Sequence, residues 1–344
     1  MSEKIRIGIA GLGNIAATHA RAIQALPNAE LHSAFSRSDE NRSQFRNEFE
    51  VPDFSDVHEF LTQPELDAVA ICTPTGTHLE LGRLAAKAGK HLIIEKPIEI
   101  TVERGRELIQ ICGESDVQLA VIYQNRFSDE VLKMKEALDS GKIGKPVLIR
   151  GAVKWYRDQN YYSGSAWRGT FKLDGGGAVI NQSIHTIDLI QWLFGDVISV
   201  SAFNATLTHK GIEAEDNAVA VFKFKSGALG VFEASTSVSP AQPRSIEING
   251  ERGTAKLIGD QFSLSYTKDS GPTAAAESAG ADSPLASLAQ ENHRRQYAQI
   301  VNAIIMGDEP IVNGHDSLKS LAIVEAIYKS AKEKRVVIPV LTKD

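Results

Sequence analysis

Residues 5 to 16, IRIGIAGLGNIA, constrain this chain more than any other stretch. Alternating apolar residues make a short strand that runs directly into Gly11, Gly13 and Ala16, a G-x-G-x-x-A arrangement at the start of a helix. Gly11 permits the tight turn, Gly13 leaves the backbone open to a pyrophosphate, and Ala16 lets the helix close on the strand. The helix N-terminus then offers its amide groups and positive dipole end to the phosphates, with Asn14 and Ile15 in the same cradle. Alone, the spacing is equally a simple turn, and its weight comes from its place inside a complete βαβ unit.

That unit continues. From residue 4 to about 125, short apolar runs (IRIGIAG, ELHSAFS, DAVAICT, KHLIIEK, VQLAVIY) alternate with amphipathic stretches at 15–26, 40–49, 77–89 and 101–114. This is the cadence of a doubly wound parallel sheet. After about 145 the β-rich runs follow one another through hairpin signals at Ser226-Gly227 and Asn249-Gly250, so a mostly antiparallel, open sheet covered on one face by helices is expected. The fold class is α/β, with a dinucleotide-binding domain over 1–125 and a substrate-binding and oligomerisation domain over 126–344. Residues 268–284, small and polar, read as an exposed mobile loop; helices are expected over about 287–306 and 315–334, and VVIPV as a last strand.

At 344 residues two domains are the prior, and 42% hydrophobic with 23% charged residues describes a soluble globular protein. A formal charge of −6 leaves no basic field for nucleic acid or anionic lipid, and no apolar run approaches the roughly 20 residues of a membrane span. Cys72 and Cys112 are too few for a disulfide framework or a cysteine zinc site, so the cytoplasm is expected and no metal is called for.

The second strand ends in Ser36-Arg37-Ser38, where an NAD site usually carries an acid for the ribose 2′-hydroxyl; Asp39 and Glu40 come later, at a helix start. A guanidinium beside hydroxyls suits a 2′-phosphate, which favours NADP while leaving NAD open, and the alternative puts Arg37 on the adenine or in solvent. Lys96 follows the apolar run HLII with Glu95 before it and Pro97 after it, at the carboxyl end of a strand where ligands gather in this fold. There it can polarise a substrate oxygen; a salt bridge involving Glu95 with Lys96 in solvent fits the spacing equally well.

The second half carries GGGAVINQSIHTIDL, residues 175–189. On a continuous helix Asn181, His185 and Asp188 return to one side and form a polar row beside the apolar Ile180, Ile184 and Ile187. His185 is then either a general base, since its unperturbed pKa lies near operating pH, or a satisfied core histidine. Asp188 either orients His185 or bonds backbone. Just before the motif, KWYRDQNYYSGSAWRGT supplies Tyr156, Arg157, Tyr161 and Tyr162, which suit stacking on and hydrogen bonding to a sugar, or an ordinary aromatic loop. Gln124, Asn125 and Arg126 follow the strand LAVIY, with Asn125 assigned to cofactor and Arg126 to substrate.

These pieces, GLGNIA, CTPTGTH (72–78), EKP (95–97) and GGG followed by Asn181-x-x-x-His185, resemble the Gfo/Idh/MocA oxidoreductases in both order and spacing. The resemblance implies a nicotinamide cofactor and oxidation or reduction at a carbinol carbon of a sugar, sugar derivative or cyclitol. It implies Lys96 and His185 as catalytic residues, and Thr73, Pro74, His78, Glu95 and Lys96 on the cofactor side. Trp167 and Arg168 are similar to a pair that approaches the nicotinamide end in relatives. One departure is that the family often has aspartate where this chain has Asn181, so proton duty falls on His185 and Asn181 positions substrate. Two other readings use the same parts: a tightly bound, recycled dinucleotide driving glycoside cleavage or elimination, and a nucleotide-binding sensor without chemistry. A homodimer or homotetramer is expected through the open sheet.

Overall fold

The computed structural model describes residues 4–266 and 285–341, so the loop expected over 268–284 lies outside the described residues. The chain divides into two compact units, residues 1–124 with 284–318, and 125–283 with 319–344. The second half therefore does not form one continuous domain after residue 125. The reason is packing: the helix at 285–306 carries Tyr297, Ile300 and Val301 into the core of the first unit.

In the first unit, strands β1 (Ile5–Ala10), β2 (Ala29–Phe35), β3 (Asp53–Phe54), β4 (Ala68–Ile71), β5 (His91–Ile94) and β6 (Leu119–Val121) form one sheet in the order β3-β2-β1-β4-β5-β6. Every pairing is parallel. Helices α1 (Ala16–Gln24), α2 (Asp39–Phe49), α3 (Val57–Leu61), α4 (His78–Lys87) and α5 (Val102–Glu114) make the crossovers. Strand β4 is buried at all four positions, as a strand covered on both faces must be. Ser38, Asp56 and Thr101 cap α2, α3 and α5 by accepting hydrogen bonds from first-turn amides.

The second unit begins with α6 (Asp129–Asp139), β7 (Pro146–Lys154) and α7 (Gln159–Ser163). After them come α8 (Ser183–Phe194), β8 (Val197–Ala205), β9 (Asn217–Phe224), β10 (Leu229–Ser235), β11 (Ser245–Gly250), β12 (Gly253–Ile258) and β13 (Gln261–Tyr266). The sheet order is β13-β12-β11-β7-β10-β9-β8, antiparallel at every pairing except β7 with β10. Helix α8 lies on β7, where a Cβ on Gly151 would come within 2.4 Å of Ile190, so the glycine admits the helix. Helix α9 (Leu285–Met306) completes the first unit, and α10 (Gly314–Glu333) starts in the first unit and continues in the second. The expected last strand is reduced to a single bridge between Val337 and Val200. Pro339, which has no amide hydrogen, follows it closely.

Candidate active site

In the first unit the ends of β1, β4 and β5 carry the sequence-predicted cofactor residues. Gly11 has φ +97°, and a Cβ there would lie 2.7 Å from the backbone of Cys72 and Thr73 at the end of β4. A Cβ on Gly13 would meet nothing within 4 Å, which leaves open space over the turn. No side chain caps α1, so its first turn can satisfy an anion's oxygens, and Ala16 is buried against the core. Gly13 and Asn14 are exposed and Ile15 half-buried. This geometry fits a dinucleotide pyrophosphate.

At the tip of β2, Arg37 is exposed, the Ser36 hydroxyl accepts from the Ser38 amide, and the Ser36 carbonyl accepts from Arg42. The nearby carboxylates are engaged by arginines: Asp39 by Arg42, Asp53 by Arg42 and Arg46. Thr73 and Pro74 are half-buried after β4. His78 behaves differently from the expectation that it lines the cofactor. It is 1% exposed, and its ring nitrogens face the carbonyls of Thr73 at 2.9 Å and Pro97 at 3.1 Å. It braces the loop after β4 against the loop after β5.

Lys96 is half-buried immediately after Glu95, which begins a buried polar chain. Glu95 Oε1 is 3.2 Å from His19 Nε2, and His19 Nδ1 is 2.7 Å from the Tyr297 hydroxyl. His293 Nε2 lies 4.0 Å from the same carboxylate oxygen. Burial by itself would raise the Glu95 carboxyl, but the His19 hydrogen bond and charge, with Lys96 and His293, outweigh it and hold Glu95 at about 2. Burial opposes charge on His19, yet Cys72, Tyr297 and Glu95 keep its pKa well above the ordinary imidazole value. The charge of Lys96, the next residue in the chain, contributes to lowering Glu95, and the salt bridge envisaged for Glu95 is made to His19.

In the second unit, the helix bearing the glycine motif is not continuous. A π-helical turn, Ala178–Gln182, holds Asn181 and precedes α8, which carries His185 and Asp188, and the expected polar row divides by burial. Asn181 and His185 are half-buried, whereas Asp188 is fully buried. Asp188 receives Arg126 through two hydrogen bonds, of 2.7 and 2.6 Å, and the Ser320 hydroxyl at 2.9 Å. Arg126 is 3% exposed and packs over Trp192. Its assignment to substrate is thereby corrected: separating such a buried pair costs about 3–5 kcal/mol, so the guanidinium serves the helix. Tyr162 is likewise core, its hydroxyl bonded to Thr236 at 2.8 Å.

The remaining residues of this region assemble. The Asn181 amide donates to Asp174 Oδ1 at 2.5 Å, and Gln182 donates to the Tyr161 hydroxyl and to Asn181. Arg157 donates to Gln182 at 2.8 Å, and Arg168 stacks 4.2 Å over Tyr161. Tyr156 is exposed; Trp167 and Asn125 are half-buried. Asp174 and Gln182 were not anticipated, although Asp174 directly precedes the three glycines and supplies the carboxylate absent at position 181. The network fixes the Asn181 amide with its oxygen towards Tyr161 and Gln182.

A Rossmann unit with an open phosphate turn and a lysine at the end of β5, joined to an antiparallel-sheet unit with a helix-borne histidine, defines a nicotinamide-dependent oxidoreductase. The pattern described as the NAD-binding Rossmann fold of the Gfo/Idh/MocA oxidoreductase family matches residues 5–123, and that family's C-terminal alpha/beta domain matches residues 135–340. The chain belongs to this family. It is 29% identical over 347 residues to the myo-inositol 2-dehydrogenase of Thermotoga maritima, covering 97% of this chain and 98% of that one. It is 30% identical over 260 residues to the NAD(+)-dependent scyllo-inositol 2-dehydrogenase of Bacillus subtilis, 74% of each. The WlbA dehydrogenase of Bordetella pertussis, crystallised with NADH and UDP-GlcNAcA, superposes with a TM-score of 0.89 at 32% identity over 99% of both chains.

Proposed function

We propose that this protein is an NAD(P)-dependent dehydrogenase that oxidises a secondary hydroxyl of a sugar, sugar derivative or cyclitol, or reduces the matching ketone. The observation that carries the reading is the occurrence of Lys96 just past the end of β5, and of His185 on α8, in a chain matched by both domain models of the family. The nicotinamide, when bound, supplies the acceptor for the carbinol hydride. His185 takes the hydroxyl proton, Lys96 donates a hydrogen bond to the same oxygen as it becomes a carbonyl, and Asn181, fixed by Asp174, orients the substrate. The cations Arg157 and Arg168 beside Tyr161 suit an anionic sugar, and the relative solved with a nucleotide-linked sugar acid makes that class our first expectation.

For the cofactor, exposed Arg37 with the engagement of Asp39 and Asp53 by arginines supports NADP, while the NADH-bound relative supports NAD as the second reading. We also place the enzyme in the cytoplasm, which its two unpaired cysteines suit. Among the described residues, no helix is long and apolar enough to cross a membrane.

The test is nicotinamide absorbance with NADP or NAD against cyclitols, free sugars, glycosides and nucleotide-linked sugar acids. Turnover with one group is expected, and Lys96→Ala and His185→Ala should each lower kcat by about a hundredfold or more with dinucleotide affinity retained. Near-normal turnover in both variants would remove the assignment. Glycoside cleavage without net cofactor reduction would favour the recycled-cofactor mechanism.

A further inference from the structure

The start of the π turn has an unusual set of hydrogen-bond partners. A helix leaves its first four amide groups without intrahelical acceptors. Here the amides of Gly177 and Ile180 both donate to the Tyr328 hydroxyl at 3.3 Å, that of Val179 to Glu215 Oε1 at 2.8 Å, and that of Ala178 to the Glu215 carbonyl at 3.0 Å. The Tyr328 hydroxyl donates to the same Glu215 Oε1 at 3.1 Å. Two residues, one in the loop before β9 and one on α10, thus receive four consecutive amides, and the helical ladder begins with the next amide, Asn181 to the Gly177 carbonyl.

The same contacts account for the glycines. A Cβ on Gly176 would lie 2.1 Å from the Tyr328 hydroxyl, and one on Gly177 would lie 1.9 Å from the Glu215 carbonyl oxygen. Gly176, at φ +155°, also takes a backbone conformation that other residues rarely adopt. Only a chain without side chains at these positions can press against this clamp. Glu215 is 4% exposed, and its second carboxyl oxygen is buried without a hydrogen-bond partner. Burial pushes its pKa up to about 7 against the Val179 and Tyr328 hydrogen bonds, which favour ionisation. Of the titratable groups, Tyr328 on α10 and Tyr162 on α7 interact with it, and Asp174, in the loop before the glycines, acts on the same Tyr162.

We propose that Glu215, acting with Tyr328, is a positioning residue for the reaction: it clamps the glycine turn and so fixes where the π turn and α8 hold Asn181 and His185. The inference rests on the reading that His185 handles the substrate proton. Removing a buried acceptor leaves its donors unsatisfied, and the loss should be felt at the helix start before anywhere else.

The experiment compares wild type, Glu215→Ala, Glu215→Gln and Tyr328→Phe by amide hydrogen exchange across residues 175–185 and by steady-state kinetics. Glu215→Ala is expected to speed exchange at Val179 by about tenfold or more and to lower kcat about tenfold, with KM for the dinucleotide unchanged within about twofold. Glu215→Gln, which keeps an acceptor at the same place, should restore both. Tyr328→Phe should speed exchange at Gly177 and Ile180, and it decides the matter if the alanine variant does not fold. Unchanged exchange in Glu215→Ala, faster exchange with unaltered kcat, or a glutamine variant no better than alanine would each overturn the proposal. Wild-type protein inert on every substrate would instead remove the proposed function, and exchange alone would then decide whether Glu215 holds the turn.

Discussion

An added Cβ at Gly11 would strike the backbone after β4, whereas one at Gly13 would enter open space, so two glycines of one loop are needed for different reasons. The first serves the fold, and we propose that the second leaves room for a ligand. Gly11→Ala is expected to lower the melting temperature by several degrees, because both φ +97° and the 2.7 Å approach to Cys72 and Thr73 must relax. Gly13→Ala should melt within about a degree of wild type yet raise KM for the dinucleotide about tenfold or more, since the methyl occupies the space a pyrophosphate needs. Thermal melts and initial rates on both variants check this. A Gly13→Ala protein with ordinary cofactor KM would show that the phosphates lie elsewhere.

At the scale of elements, two buried glutamates pull stability in opposite directions with pH. Glu95, behind the end of β5, is held at about 2, below the ordinary carboxylate value of 4.5, so its contribution is present above pH 4.5 and is lost as pH falls towards 2. Glu215, under the π turn, is raised to about 7, so the folded state keeps its proton longer than the unfolded one; stability is full below pH 4.5 and declines as pH rises through 7. Urea midpoints should show Glu215→Gln matching wild type near pH 4.5 and exceeding it increasingly towards pH 8. Glu95→Gln should fall below wild type at pH 7 and approach it as the buffer is made more acidic. A pH-independent difference for either variant would mean that its carboxyl keeps an ordinary pKa.

Glu215 was not legible in the sequence at all, and for Glu95 only a salt bridge without its partner was; the cause is the same for both. Strand periodicity and G-x-G-x-x-A are local signals, and they located the Rossmann strands, the phosphate turn and Lys96. The partners of Glu95 are His19 and Tyr297, and those of Glu215 are Val179 and Tyr328, all brought together by tertiary packing. Tertiary packing also divided the expected polar row: Asp188, three residues after His185 on the same helix, is taken up by Arg126 and Ser320. Asp174 was the nearest miss, because its position directly before the glycines is readable without any structure.

For the molecule as a whole, the sheet of the second unit presents its two faces unequally. One face is covered by α8, while on the other the cross-strand rows run Glu233–Val219–Phe203, Arg150–Val231–Val221–Ser201 and Leu148–Leu229–Lys223. Phe203 is 71% exposed and Val219, Val221 and Leu229 are each more than half exposed, an apolar cluster of the kind that marks an interaction surface. The flanking Arg150–Glu233 and Lys256–Glu247 pairs place both signs of charge on the same surface, which allows it to meet a second copy of itself. We therefore expect light scattering to give two or four chains per particle for wild type. Val221→Lys, buried opposite a partner's apolar row in such an assembly, should shift the mass to a single chain without altering far-ultraviolet dichroism, since its site is exposed in the isolated unit. Wild-type protein with the mass of one chain at micromolar concentration would show instead that this face stays in water, and the kinetic variants would then report on a monomeric enzyme.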